Sequence, residues 1–289
     1  KQVHILMSRS SCPQADFLGS THFFWTHAIP EMAQTVNPGA GMRYFPQYNG
    51  LVSPTMLYGP PVAYLALALA GHHAMKSRTT PSWVNSCVRV YNIVQIVLCA
   101  YMTIGLWPVV GFPNVFGIGS KYTADGEWFV LVHFLSKFLD WFDTIWMVLK
   151  KKSFQQMSFL HLYHHATIGV VWGFMLSTGH GNGTVRYGAM INSVTHVLMY
   201  SHYLWTSFGL KNPLKNMLTM WQITQFYSCF VHAISVLFLF PQLEVYLPIK
   251  LAWLQFGYHI TMIYLFTFKL HWVPEWLVGP KPAKAAKKA

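Results

Sequence analysis

The chain has 289 residues, of which 53% are hydrophobic and only 10% charged, with mean hydropathy +0.32. Soluble domains carry roughly 25% charged residues, so too little polar material is present to cover a soluble surface, and disorder, coiled coil and collagen are excluded with it. Twenty Lys and Arg against eight Asp and Glu would suit a nucleic-acid binder, but basic residues at the cytoplasmic ends of membrane helices explain them better.

Residues 1–52 form a lumenal N-terminal segment punctuated by Pro13, Pro30, Pro38 and Pro46. The chain opens on Lys1 rather than Met, so a processed or missing start is expected. No stretch in this segment has spanning length or the core of a signal peptide. From residue 53 to 272 the pattern is that of a seven-helix membrane domain, because a bilayer core of ~30 Å needs ~20 apolar helical residues. The predicted spans are 53–75, 86–110, 127–149, 156–178, 184–207, 216–240 and 247–271. Residues 273–289 form a basic tail. The fold class is therefore an all-α integral membrane protein with seven transmembrane helices.

Alternate loops and the tail hold Lys76, Arg78, Lys150, Lys151, Lys152, Lys211, Lys215, Lys281, Lys284, Lys287 and Lys288. The opposite loops hold Lys121, Arg186 and Lys250, and the N-terminal segment adds Lys1, Arg9 and Arg43. The bias predicts a cytoplasmic C-terminus and a lumenal N-terminus. A sequon, Asn182-Gly183-Thr184, falls on the lumenal side. Cys12, Cys87, Cys99 and Cys229 have neither zinc-site nor disulfide-framework spacing, so no metal is expected of them.

Ionisable side chains at membrane depth are costly and face the bundle interior. They cluster in four consecutive spans. In the third, Lys137, Asp140 and Thr144 share a face, with Asp143 beside them, and Lys137 can pair with Asp140. The fourth opens with His161, His164 and His165 on one face. Such a cluster fits metal ligation, or nucleophilic and general-base work. The fifth carries Asn192, His196, Tyr200 and Tyr203 on one face, with His202 next to them. The sixth carries Thr219, Gln222 and Gln225. Alone, the last two sets read as interhelical hydrogen bonding. Beside the histidines, they suggest one shared site.

These residues resemble the ELO family of fatty acid elongases. His161-x-x-His164-His165 is similar to its HxxHH box, Lys137 to Thr144 to KxxExxDT, Asn192 to Tyr203 to NxxxHxxMYxYY, and Thr219, Gln222 and Gln225 to TxxQxxQ. Asp140 stands where the family has Glu, and His202 where it has the first Tyr of its pair. Gln156 and the run from Phe159 to His165 look most like the branch acting on polyunsaturated acyl chains. The resemblance implies six of the seven helices around a narrow acyl tunnel, in the endoplasmic reticulum membrane. It implies condensation of an acyl-CoA with malonyl-CoA to a 3-oxoacyl-CoA two carbons longer, with release of CO2 and CoA. No cofactor beyond these substrates is expected, and the partners implied are the reductases and dehydratase that complete the cycle.

On this reading His164 attacks the thioester, while His161, His165 or His196 orients or deprotonates. Asn192 and Gln222 stabilise enolate charge, Asp140 and Asp143 form the polar wall, and Lys150 and Lys151 attract CoA phosphates. Lys137, Tyr200, Tyr203, His202, Gln222 and Gln225 contact substrate. Two other readings stand beside it. A membrane di-iron desaturase or hydroxylase needs about eight histidines in three boxes, whereas His133, His232 and His259 are isolated. In a seven-helix transporter repeats are common, and none is visible. A retinal-type Schiff base fits poorly because Lys269 lies at the end of its span. The tail resembles a dilysine retrieval signal out of register.

Overall fold

The computed structural model describes residues 40–107, 114–239 and 247–269, all within one compact unit, Pro38–Ala289. Residues 1–39 and the basic tail, with the retrieval signal, lie outside the described residues. Among those described there is no strand.

Among the described residues, eight helices of two turns or more carry the chain: α1 Pro54–Ala74, α2 Val84–Leu106, α3 Ala124–Leu139, α4 Phe142–Leu149, α5 Phe159–Ser177, α6 Arg186–Ser207, α7 Lys215–Ile234 and α8 Ile249–Lys269. Each expected span has its helix, with one difference. The third, expected as one segment over 127–149, is broken into α3 and α4 at Asp140 and Trp141. There the bonding tightens to three residues: Trp141 N donates to Phe138 O at 3.3 Å and Asp143 N to Asp140 O at 3.1 Å. Such a 3₁₀-like turn keeps the chain running in one direction while rotating the faces of α4 relative to those of α3.

By length and composition Pro46–Ala74, Val84–Leu106 and Lys215–Leu239 are apolar enough to cross a membrane. Helix α2 has the polarity expected of a lipid solvent. Val90, Ile93, Val94, Val97 and Ile104 are exposed, whereas Asn92 and Gln95 are buried. In water such an arrangement is inverted; in lipid it hides the costly amides.

Helices α3, α5, α8, α7, α6 and α2 each pack on the next, and α2 returns to α3. Helix α1 packs against α5. Close approach is helped where a side chain is missing: a Cβ at Gly173 would run into Leu57 and Phe134.

The end opposite the histidines is clasped by Glu127, which is wholly buried. Its carboxylate accepts from the backbone N–H groups of Arg43, Tyr44 and Phe45 at 2.9, 2.7 and 3.1 Å. Arg43 Nε donates to Gly179 O at 2.8 Å and its guanidinium lies 4.5 Å over the Tyr122 ring. Asn182 is buried, and its amide is spent on Thr123 O at 2.7 Å and Gly183 N at 2.8 Å. A glycan has no access to it in the folded chain. Cys87, Cys99 and Cys229 are free thiols.

Candidate active site

Helix α5 brings its three histidines into place at its first turns. Ser158 caps it, its hydroxyl accepting from His161 N at 3.2 Å. Spacing of three and four residues then puts His161, His164 and His165 on one face. The His161 and His165 rings lie 4.2 Å apart, and His164 meets His165 edge-on at 5.4 Å. Thr144 fixes the first ring: its Oγ1 lies 2.7 Å from His161 Nε2 and 2.9 Å from the Tyr64 hydroxyl. Trp141 fixes the backbone behind the third, donating from Nε1 to His165 O at 2.8 Å. Thus the turn that breaks the third span supplies both supports.

A second layer is charged. Lys137 and Asp140 are each only 2% exposed, and Lys137 Nζ donates to Asp140 Oδ2 and to Asn192 Oδ1, both at 3.0 Å. Asp140 Oδ2 also faces His196 Nδ1 at 3.8 Å, too far for a direct hydrogen bond but close enough for electrostatic attraction. The Tyr200 hydroxyl lies 2.8 Å from Asp143 Oδ2 and 3.1 Å from Asp140 Oδ1. Gln95 Nε2 donates to Asp140 Oδ1 and Tyr91 Oη, both at 2.9 Å, and lies 3.1 Å from the Tyr200 hydroxyl. One lysine, two carboxylates, two phenols and two amides therefore hold α2, α3, α4 and α6 together behind the histidines.

The histidines and part of this layer border a cavity of about 650 Å³. His161, His164, His165, His196, Asn192 and Asp143 line it from one side, and Gln222, Gln225, His202 and Tyr203 from others. Lys150, Lys152 and Lys215 contribute cations to its wall. Burial and the charges of Lys152 and Arg89 lower the pKa of Lys150, so positive charge is crowded there. The Nδ1 atoms of His165 and His196 are buried without a hydrogen-bond partner. Among the described residues no three His, Cys, Asp or Glu side chains have the arrangement of a metal site.

Three residues expected at the substrate lie elsewhere. Lys137 and Tyr200 stand behind the cavity wall beside Asp140, where they hold the wall rather than face the space. Lys151 donates to Lys76 O at 3.2 Å from an exposed, left-handed position with φ 57° and does not line the cavity. Its place is taken by Lys152 and Lys215. Gln222 reaches Met199 Sδ at 3.8 Å, and His202 Nδ1 lies 2.8 Å from Asn212 Nδ2. Sequence reasoning missed Tyr91, Asn92, Gln95 and Thr195. The first three lie on adjacent turns of one apolar span, and their polar atoms at membrane depth were the available signal.

The sequence pattern of the GNS1/SUR4 family (ELO) matches residues 51–270. "Fatty acid elongase 5" of Trypanosoma cruzi is 43% identical over 223 residues, covering 77% of this chain and 85% of its own. "Fatty acid elongase 5" of Leishmania major is 41% identical over 223 residues, covering 77% and 87%. The mouse "Very long chain fatty acid elongase 5" is 31% identical over 222 residues, covering 71% and 70%.

Proposed function

Since this chain belongs to the ELO (GNS1/SUR4) family of fatty acid elongases, we propose that its cavity joins a long, polyunsaturated acyl-CoA to the two-carbon unit of malonyl-CoA. The enzyme is an acyltransferase of the membrane, a 3-oxoacyl-CoA synthase of fatty acid elongation. One observation carries the site: His161, His164, His165, His196 and Asn192 face a single cavity whose wall also holds Lys150, Lys152 and Lys215. Imidazoles next to cations suit a thioester whose other end carries phosphates.

The reaction runs in two parts. An imidazole nitrogen of His164 attacks the thioester carbonyl, the carbon–sulfur bond breaks, and the CoA thiolate leaves while His164 gives up its ring proton to a neighbouring base. His196 or His165, each with a free Nδ1, is that base. Malonyl-CoA then loses CO2. The electron pair of the broken carbon–carbon bond becomes an enolate, which attacks the acyl-imidazole carbon. The carbon–nitrogen bond breaks and the stored proton returns to His164. Asn192 and Gln222 donate to the enolate oxygen, and Lys137 and Asp140 fix Asn192 and His196 in register. The two substrates supply every atom, so no cofactor is called upon.

The closed order of packing from α3 through α5, α8, α7, α6 and α2 supports a six-helix bundle around the acyl chain, with α1 outside and seven spans in all. The reaction is assigned to the endoplasmic reticulum, with the lysine-lined mouth cytoplasmic, and its 3-oxo product requires the reductases and dehydratase of the same cycle.

The test is elongation of an acyl-CoA panel with labelled malonyl-CoA in microsomes. Wild type should lengthen polyunsaturated chains by two carbons, and His164→Ala should lose at least about a thousandfold in rate, as deletion of a nucleophile does. With acyl-CoA alone, one equivalent of CoA should appear in a burst, leaving an acyl adduct on His164. An active preparation with neither burst nor adduct overturns the covalent route.

A further inference from the structure

We propose that Asn92 binds the pantetheine arm of both CoA thioesters, its amide N–H donating to an amide carbonyl of that arm. The inference rests on the elongase function proposed for this cavity and adds a residue that none of the four family-like boxes contains.

Asn92 lies in α2, where it is 2% exposed and lines the cavity. Its Nδ2 is buried and has no hydrogen-bond partner. A buried amide donor without a partner is costly to leave so. Tyr91 and Gln95 both reach Tyr200, and Gln95 reaches Asp140 as well. Of the unpaired side-chain atoms on α2, Arg89 Nε, Asn92 Nδ2 and Gln95 Oε1, only that of Asn92 belongs to a residue lining the cavity.

Its depth identifies the ligand. Helices α2 and α6 run antiparallel: Arg89 Nη2 donates to Ser207 O, Gln95 meets Tyr200, and Arg186 Nη2 donates to Gly105 O. Tyr200 is one turn beyond His196 on α6, which is about 6 Å along the axis. Between the Arg89–Ser207 and Gln95–Tyr200 pairs, Asn92 stands level with residues 203–204, about two turns or ~11 Å from His196 on the side of Ser207. The cations lie further that way: the segment leading to Lys215 is bonded to the Ser207 end of α6, Trp205 Nε1 donating to Lys211 O at 3.2 Å. In order along the cavity come the histidines, then one unpaired amide, then the lysines. A CoA thioester has the same order. Its reacting carbonyl is succeeded by two methylenes, an amide, a second amide, and then phosphates. Hydrocarbon offers no acceptor to the middle station and the phosphates are met by the lysines beyond it, whereas a peptide-like carbonyl falls level with the amide donor.

The experiment compares inhibition of elongation by free CoA and by the adenosine bisphosphate head of CoA, which lacks the arm. In Asn92→Leu, the inhibition constant of CoA should rise roughly 3- to 10-fold, the effect of one neutral hydrogen bond, while that of the head stays unchanged. A CoA constant equal to wild type, or a parallel rise in both constants, overturns the inference. If Asn92→Leu does not fold, Asn92→Ala is put through the same pair of measurements. A wild-type chain that condenses nothing sinks the elongase reading. A wild type that elongates, with variants that bind CoA normally, sinks only the role of Asn92.

Discussion

Lys137 and Asp140 sit opposite one another with 2% of each side chain exposed, and each has partners on other helices. Removing one member of such a pair leaves a charge in a medium that solvates it badly, at a cost of about 3–5 kcal/mol. Lys137→Met should therefore lower the melting temperature in detergent by several degrees and abolish elongation. The double variant Lys137→Met/Asp140→Leu should regain most of the stability and none of the activity, because His196 and Asn192 lose their orienting partners. A single variant that melts with wild type contradicts the pairing. The pair itself was legible, since residues three apart on a helix face one another. Its link to Asn192 was not, because 55 residues of chain separate the two. Tyr91 and Gln95 escaped for another reason. A phenol and an amide in an apolar span read as ordinary interhelical glue until Asp140 is seen between them.

At the scale of the element, apolar runs and punctuation were enough to place helix in each of the expected spans, with ends that differ by a few residues. A bilayer makes this easy, as an unbonded backbone cannot stay in lipid. The turn at Asp140 and Trp141 was invisible for the same reason that the helices were plain. Nothing in Leu139-Asp140-Trp141-Phe142 breaks a helix locally. What selects the tight turn is tertiary: the Trp141 indole bonded to His165 O, and Thr144 brought against His161 and Tyr64. Likewise the sequon at Asn182 reads as a surface site in the sequence, and only the loop packed on Thr123 turns it into a buried structural residue. The cluster of histidines was legible as a face because it lies within five residues of chain. The cavity in front of it takes its lining from α2, α4, α5, α6, α7 and α8, and no local pattern describes a space.

For the whole molecule, the distribution of charge makes a prediction about sidedness. Lys150, Lys152 and Lys215 line the cavity, and they belong to the set of loops that the basic bias assigns to the cytoplasm. The clasp of Glu127 on residues 43 to 45 lies at the other end. In sealed microsomes, a tag after Ala289 should be removed by added protease without detergent. A tag ahead of Lys1 should be removed only after detergent is added. The reverse pattern would put the lysines on the side away from cytoplasmic CoA and would reject the orientation.

The lysines that line the cavity form a single set. Two thioesters that need the same cations cannot be seated together, so donor and acceptor must take turns, and the spent carrier has to depart before its successor arrives. Initial rates measured against one substrate at several fixed levels of the other should then give parallel double-reciprocal lines. Each substrate in excess should inhibit by occupying the form of the enzyme meant for the other. Intersecting lines would mean that both carriers sit side by side, on cations beyond Lys150, Lys152 and Lys215.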